Sequence, residues 1–104
     1  MQTLYFQNPQ FHEGLNLTVR RGVSWNLVKN GDVVNVVDTN NPSPISAFAT
    51  IKETRVMRFQ DLRNADLALE HDETCRKVKG LAEVMKQVYP GFDEREIVTL
   101  VFFE

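Results

Sequence analysis

The chain has 104 residues, enough for one domain spanning 1–104 and too few for two. Its net charge is −2, which argues against a protein that holds nucleic acid by bulk positive charge and leaves room only for a local basic pocket. Hydrophobic residues make up 42% of the chain, and a domain of about 100 residues buries roughly two thirds of its unfolded surface, so no metal or disulfide staple is required.

Cys75 is the only cysteine, which rules out an intrachain disulfide and fits a reducing compartment. No apolar run approaches the roughly 20 residues that span a bilayer, and the first residues lack the basic start and apolar stretch of a signal peptide. A cytoplasmic protein with no membrane partner is the expectation.

Met1 to Gln7 resemble a protease-tag remnant, yet they alternate apolar and polar residues. The expectation is a first strand over Leu4 to Gln7. Asn8 to Gly14 follow as a loop. Leu15, Leu17 and Val19 alternate with Asn16, Thr18 and Arg20, which is strand periodicity and puts Thr18 and Arg20 on one face. Arg21 to Lys29 are irregular and contain Trp25. Asn30-Gly31-Asp32 signals a turn, and Val33 to Asp38 is β-branched and nearly continuous, which predicts a strand buried on both sides or a barrel wall. Thr39 to Pro44 read as a loop. Ile45 to Phe59 read mostly as a long strand, bent near Lys52 to Thr54.

Asp61 to Glu70 is expected as a helix, with Asp61 or Asp66 as its cap. His71 to Lys77 is ambiguous. Val78, Leu81, Met85 and Val88 then repeat at helical spacing, and Pro90-Gly91 stops that helix. Ile97 to Phe103 is a nearly unbroken apolar run, hence a buried strand. Strands and helices do not alternate, so a doubly wound parallel sheet is excluded. The predicted fold is α+β: a small mixed β-barrel with two packed helices.

Several side chains can carry chemistry. Arg20 and Arg21 point to opposite faces of a strand, so one can meet a phosphate or carboxylate in a pocket. Trp25 either stacks on a base or plugs the end of the barrel. Glu70, His71, Asp72 and Glu73 offer carboxylates and an imidazole for acid–base work, or a capped helix terminus. Tyr89 closes the second helix with its hydroxyl at a rim. Cys75 reads as an inert, buried thiol. His12 and His71 are too few for a convincing zinc site, so no metal is expected. No glycine loop for a phosphate is present, so no cofactor is expected either.

Phe11, Gly14 and Leu17-Thr18-Val19-Arg20 resemble the signature of the ASCH family, a branch of the PUA-like domains, in which a glycine precedes a short strand reading roughly T-[IV]-R. Gly31-Asp32-Val33-Val34 resembles its next element. Ala49-Thr50-Ile51, Thr54, Phe59-Gln60-Asp61-Leu62 and Val88-Tyr89-Pro90-Gly91 follow in the same order. The resemblance implies a PUA-like barrel that binds RNA or a modified nucleoside or nucleotide in a pocket at its mouth. Arg20, Arg21, Trp25, His71, Asp72, Glu73 and Tyr89 would then contact the ligand. One bacterial branch of this length is an amidohydrolase that removes the acyl group from N4-acetylcytidine, using a lysine, a threonine and a glutamate. Thr18 matches the threonine, and Glu70 or Glu73 the glutamate. The lysine is missing, because Leu15, Asn16 and Leu17 stand between Gly14 and Thr18. Lys29 or Lys52 would have to replace it, since an arginine stays protonated.

Overall fold

A computed structural model of the chain describes residues 2–41 and 47–104. It is a small α+β domain: five strands in one mixed sheet, one α-helix and short 3-10 turns. The strands are β1 (Thr3–Phe6), β2 (Asn16–Arg21), β3 (Val33–Asp38), β4 (Ala47–Arg58) and β5 (Ile97–Phe103), and the helix is α1 (Val78–Val88). The sheet order is β1-β3-β4-β5-β2. Only β1 and β3 run parallel; the other neighbours are antiparallel.

β4 holds the sheet together because it serves two partners along its length. Val33 to Val36 pair with Thr50 back to Ala47, while Ile51 to Arg58 pair with β5. The register shifts between Ile51 and Glu53, an irregularity of the kind that bends a strand. It falls where the bend was expected. The first positions of that long strand, 45 and 46, lie outside the described residues, as does the end of the preceding loop.

β5 is buried on both faces, which explains its unbroken apolar run. Val98, Leu100 and Phe102 face one core with Leu17, Val19, Phe59, Leu81 and Met85. Val101 and Phe103 face the other, with Leu4, Phe6, Val34 and Ile51. The segment before Phe6 is thus part of the fold: Leu4 is fully buried and β1 pairs with β3 throughout.

Two expectations require correction. The sheet is not closed into a barrel: β1 and β2 are its edges, and no ladder joins them. And the described residues hold one α-helix, not two. The stretch expected as a first helix is broken into 3-10 turns at Phe59–Asp61 and Asn64–Leu67. Leu62 and Leu67 are buried, but Leu69 stays 39% exposed. A continuous helix would need one apolar stripe, and these leucines do not form one. Asp66 instead accepts from the Arg63 backbone N–H at 2.8 Å, closing a single turn.

Helix α1 buries Leu81 and Met85 of its predicted stripe, with Ala82 beside them, while Val78 is half-buried and Val88 is exposed. It ends where the Tyr89 N–H reaches the Met85 carbonyl at 2.8 Å. Pro90 follows, and then Gly91, whose φ of 83° suits glycine.

Candidate functional site

The unladdered gap between the sheet edges is where the polar side chains collect. On β2, Leu17 uses its N–H and C=O to bond Leu69 and His71, at 2.8 and 2.9 Å. This short parallel bridge covers only the start of the strand. By strand alternation the outward backbone groups beyond it belong to Val19 and Arg21. A cleft of about 370 Å³ opens there, lined by the end of β1, by Thr18, Val19 and Arg20, by Glu70 to Asp72, and by the flank of α1 as far as Tyr89.

Thr18 and Arg20 share a face of β2, as alternation requires, and both line the cleft. Arg20 is held in three ways. Its Nε donates to the Thr18 hydroxyl at 3.1 Å. Its Nη1 donates to the Tyr5 carbonyl at 2.8 Å, across the gap to β1. Its guanidinium lies 4.7 Å from the centre of the Phe6 ring. Burial pulls its pKa below the usual arginine value, opposed by the nearby Tyr89 and Glu70.

Glu70 is a buried carboxylate, 1% exposed. Such a group needs partners. It pairs with Nδ1 of His71, and its Oε1 also accepts from the Asp72 N–H at 3.2 Å. The backbone of Glu70 is fixed by Arg76, whose Nε donates to its carbonyl at 2.9 Å. His71 Nδ1 lies 3.0 Å from the Leu17 carbonyl as well. The imidazole packs edge-on against Phe6, with ring centres 4.9 Å apart.

Asp72 is a cap, as one reading had it, and also borders the cleft. Its carboxylate caps the Glu73–Arg76 turn, accepting from the Thr74 N–H at 3.0 Å, and it lines the cleft. Cys75 in that turn is buried, and burial, together with the charges of Glu70 and Asp72, pushes its thiol up to about 12. That is the inert thiol expected.

Three predicted residues are not brought to the cleft. Arg21 points away and pairs with Glu96 at 2.7 Å. Trp25 sits in the Ser24–Leu27 turn, partly buried against the core built around Leu4 and Phe103, and does not line the cleft. Glu73 is exposed; of the two glutamates weighed, Glu70 is the one in the cleft. No lysine lines it, and Lys52 pairs instead with Glu104 at 3.4 Å. Asn16 is occupied as well: its side chain bonds the backbone of His12 and Gly14.

Sequence reasoning missed the wall formed by Val84, Gln87 and Val88 on α1 and Asn40 after β3. The signal for the helical part was available, since Val84 lies one turn before Val88, which the predicted stripe already contained. A second depression, about 450 Å³, lies over the outer face of β1 and β3, with Asp38 its only carboxylate. Among the described residues, no helix is long and apolar enough to cross a membrane. No protein-family model, curated protein or solved structure matches the chain.

Proposed function

We propose that the cleft between β1, β2 and α1 binds a modified nucleoside or nucleotide, as an open-sheet relative of the ASCH domains would. The observation that carries this reading is the convergence of Thr18, Arg20, Glu70, His71, Asp72 and Tyr89 on one cleft. These residues come from three separate stretches of the chain. The volume of about 370 Å³ lies within the range of small-molecule sites, which is roughly 300–1,000 Å³. Arg20 supplies donors, Glu70 and Asp72 supply acceptors for an exocyclic amine, and Tyr89 supplies aromatic surface. The chain's net negative charge favours a single nucleoside over a long RNA.

Titration with cytidine, N4-acetylcytidine and a short RNA, followed by amide chemical shifts, tests the reading. Shifts confined to Thr18–Arg20, Glu70–Asp72 and Tyr89 are expected. Trp25 fluorescence should stay flat, because Trp25 packs elsewhere. No shift with any of the three at millimolar concentration would overturn the proposal.

A second reading, hydrolysis of an acyl group from such a nucleoside, is favoured by the Glu70–His71 pair. A buried carboxylate bonded to an imidazole is an arrangement that enzymes use to orient a base.

A further inference from the structure

We propose that His71 is the general base of this cleft, acting through Nε2 in place of the absent lysine, and that Glu70 is its positioning residue. The proposal rests on the hydrolytic reading above and names the groups that would perform it.

The assignment starts from proton counting. Nδ1 of His71 faces two groups that accept: the Leu17 carbonyl at 3.0 Å and the Glu70 carboxylate. A carbonyl oxygen cannot donate. Nδ1 therefore carries the proton, and a neutral ring keeps its lone pair on Nε2. Nε2 has no hydrogen-bond partner among the described residues. No buried side-chain nitrogen or oxygen lacks a partner, and His71 is only partly buried. Nε2 is therefore open to water. The ring cannot swing away, since Phe6 and Phe11 flank it at 4.9 and 5.8 Å.

His12 supplies the contrast. Its two ring nitrogens sit 3.1 and 2.9 Å from the carbonyls of Glu13 and Leu69. Both nitrogens of that ring face backbone carbonyls, and His12 does not line the cleft.

Arg20 complements the base. Nε and Nη1 are engaged, while Nη2 has no partner among the described residues and can donate to an acyl oxygen. The step balances. His71 Nε2 takes a proton from water as the water oxygen bonds to the acyl carbon. The carbonyl electron pair moves to its oxygen, held by Arg20. The oxyanion's pair then returns to re-form the carbonyl as the carbon–nitrogen bond breaks, and the pair of that bond goes to nitrogen, which takes the proton from Nε2. The products are a carboxylic acid and a free amine, with no change in oxidation state.

Two measurements test this. Long-range 1H–15N spectra of the histidine rings should show His71 as the Nδ1–H tautomer. An Nε2–H tautomer overturns the proposal whatever the ligand. With N4-acetylcytidine as the probe, wild-type protein should release cytidine. His71→Gln should lower kcat by about 100-fold or more with KM little changed. Glu70→Gln, which keeps the volume, should lower kcat and leave a mixed tautomer. An unchanged kcat in a folded His71→Gln variant overturns the role. So does a wild-type protein that binds N4-acetylcytidine and never turns it over, although the binding reading then survives. Absence of binding removes the nucleoside reading and the role of His71 together.

Discussion

Arg20 donates from Nη1 to the carbonyl oxygen of Tyr5 at 2.8 Å, so a side chain spans the gap where the sheet edges lack a ladder. The same guanidinium lies over Phe6 and bonds Thr18. A cation in that position ties β2 to β1 and forms one wall of the cleft.

Replacing Arg20 should therefore loosen the edge as well as weaken any ligand. Arg20→Ala leaves the Tyr5 carbonyl without its charged donor, a loss of about 2 kcal/mol. Arg20→Lys should recover only part of it, because an ammonium cannot reproduce the fork that reaches Thr18 and Tyr5 together. Urea denaturation of both variants measures this; a change within error for Arg20→Ala would refute the tie.

Gly80 in α1 is a second sensitive point. A β-carbon there would lie 2.0 Å from the backbone carbonyl oxygen of Thr74, far inside contact distance. The Glu73–Arg76 turn packs that closely on the first turns of the helix. Gly80→Ala should destabilise by about 2–3 kcal/mol, the cost of overpacking, despite alanine's better helix propensity. Because the strain falls on the turn carrying Cys75, amide shifts at Asp72 and His71 should move too. Thermal melts and amide spectra check both.

Cys75 should resist thiol reagents. Its value of about 12, against the ordinary 9.0, leaves very little thiolate at neutral pH. Iodoacetamide should label native protein at least about 100-fold more slowly than urea-unfolded protein. The sign for stability follows. The folded value is raised, so this contribution is complete below pH 9 and is lost as pH rises toward 12. Cys75→Ala should remove that alkaline dependence.

Acid should act through the turn before β5. Asp93 is held well below the usual carboxylate range by hydrogen bonds from Arg95, and Glu96 is lowered by its hydrogen bond from Arg21. Both folded values are depressed, so their contribution is present above the ordinary values of 3.8 and 4.5 and is lost as pH falls below them. Melting temperature should drop from about pH 4.5 downward. A double Asp93→Asn, Glu96→Gln variant should show a shallower drop.

Much of this fold could be read along the chain. Val33–Asp38, Val78–Val88 and Ile97–Phe103 fall where the sequence puts them; Leu81 and Met85 in α1 and nearly all of β5 are buried, whereas β3 buries only Val34 and is not the doubly covered strand expected. The Asp61–Glu70 segment did not form its expected helix, since Leu62, Leu67 and Leu69 satisfy no single helical face and local capping by Asp66 decided the outcome. Closure was beyond sequence reasoning. Whether β1 meets β2 depends on the curvature of the whole sheet, which no local pattern encodes. For the cleft, alternation sufficed to put Thr18 with Arg20. The pairing of Glu70 with His71 needed the bridge from Leu17 to Glu70, a contact between distant stretches. Trp25 shows the reverse case, a conspicuous residue whose place is settled by packing.

The position of β5 also bears on how the chain matures on the ribosome. β5 lies between β4 and β2 in the sheet, yet it is made after both. Until Ile97–Phe103 has emerged, Asn16–Arg21 has no ladder partner and the inner edge of β4 stands open. Thr18 pairs with Val101, and Asn16 with Phe103, so the decisive contacts span most of the chain. Folding should be slow for the domain's size, and nascent chains stalled before Ile97 should be the species most in need of a chaperone.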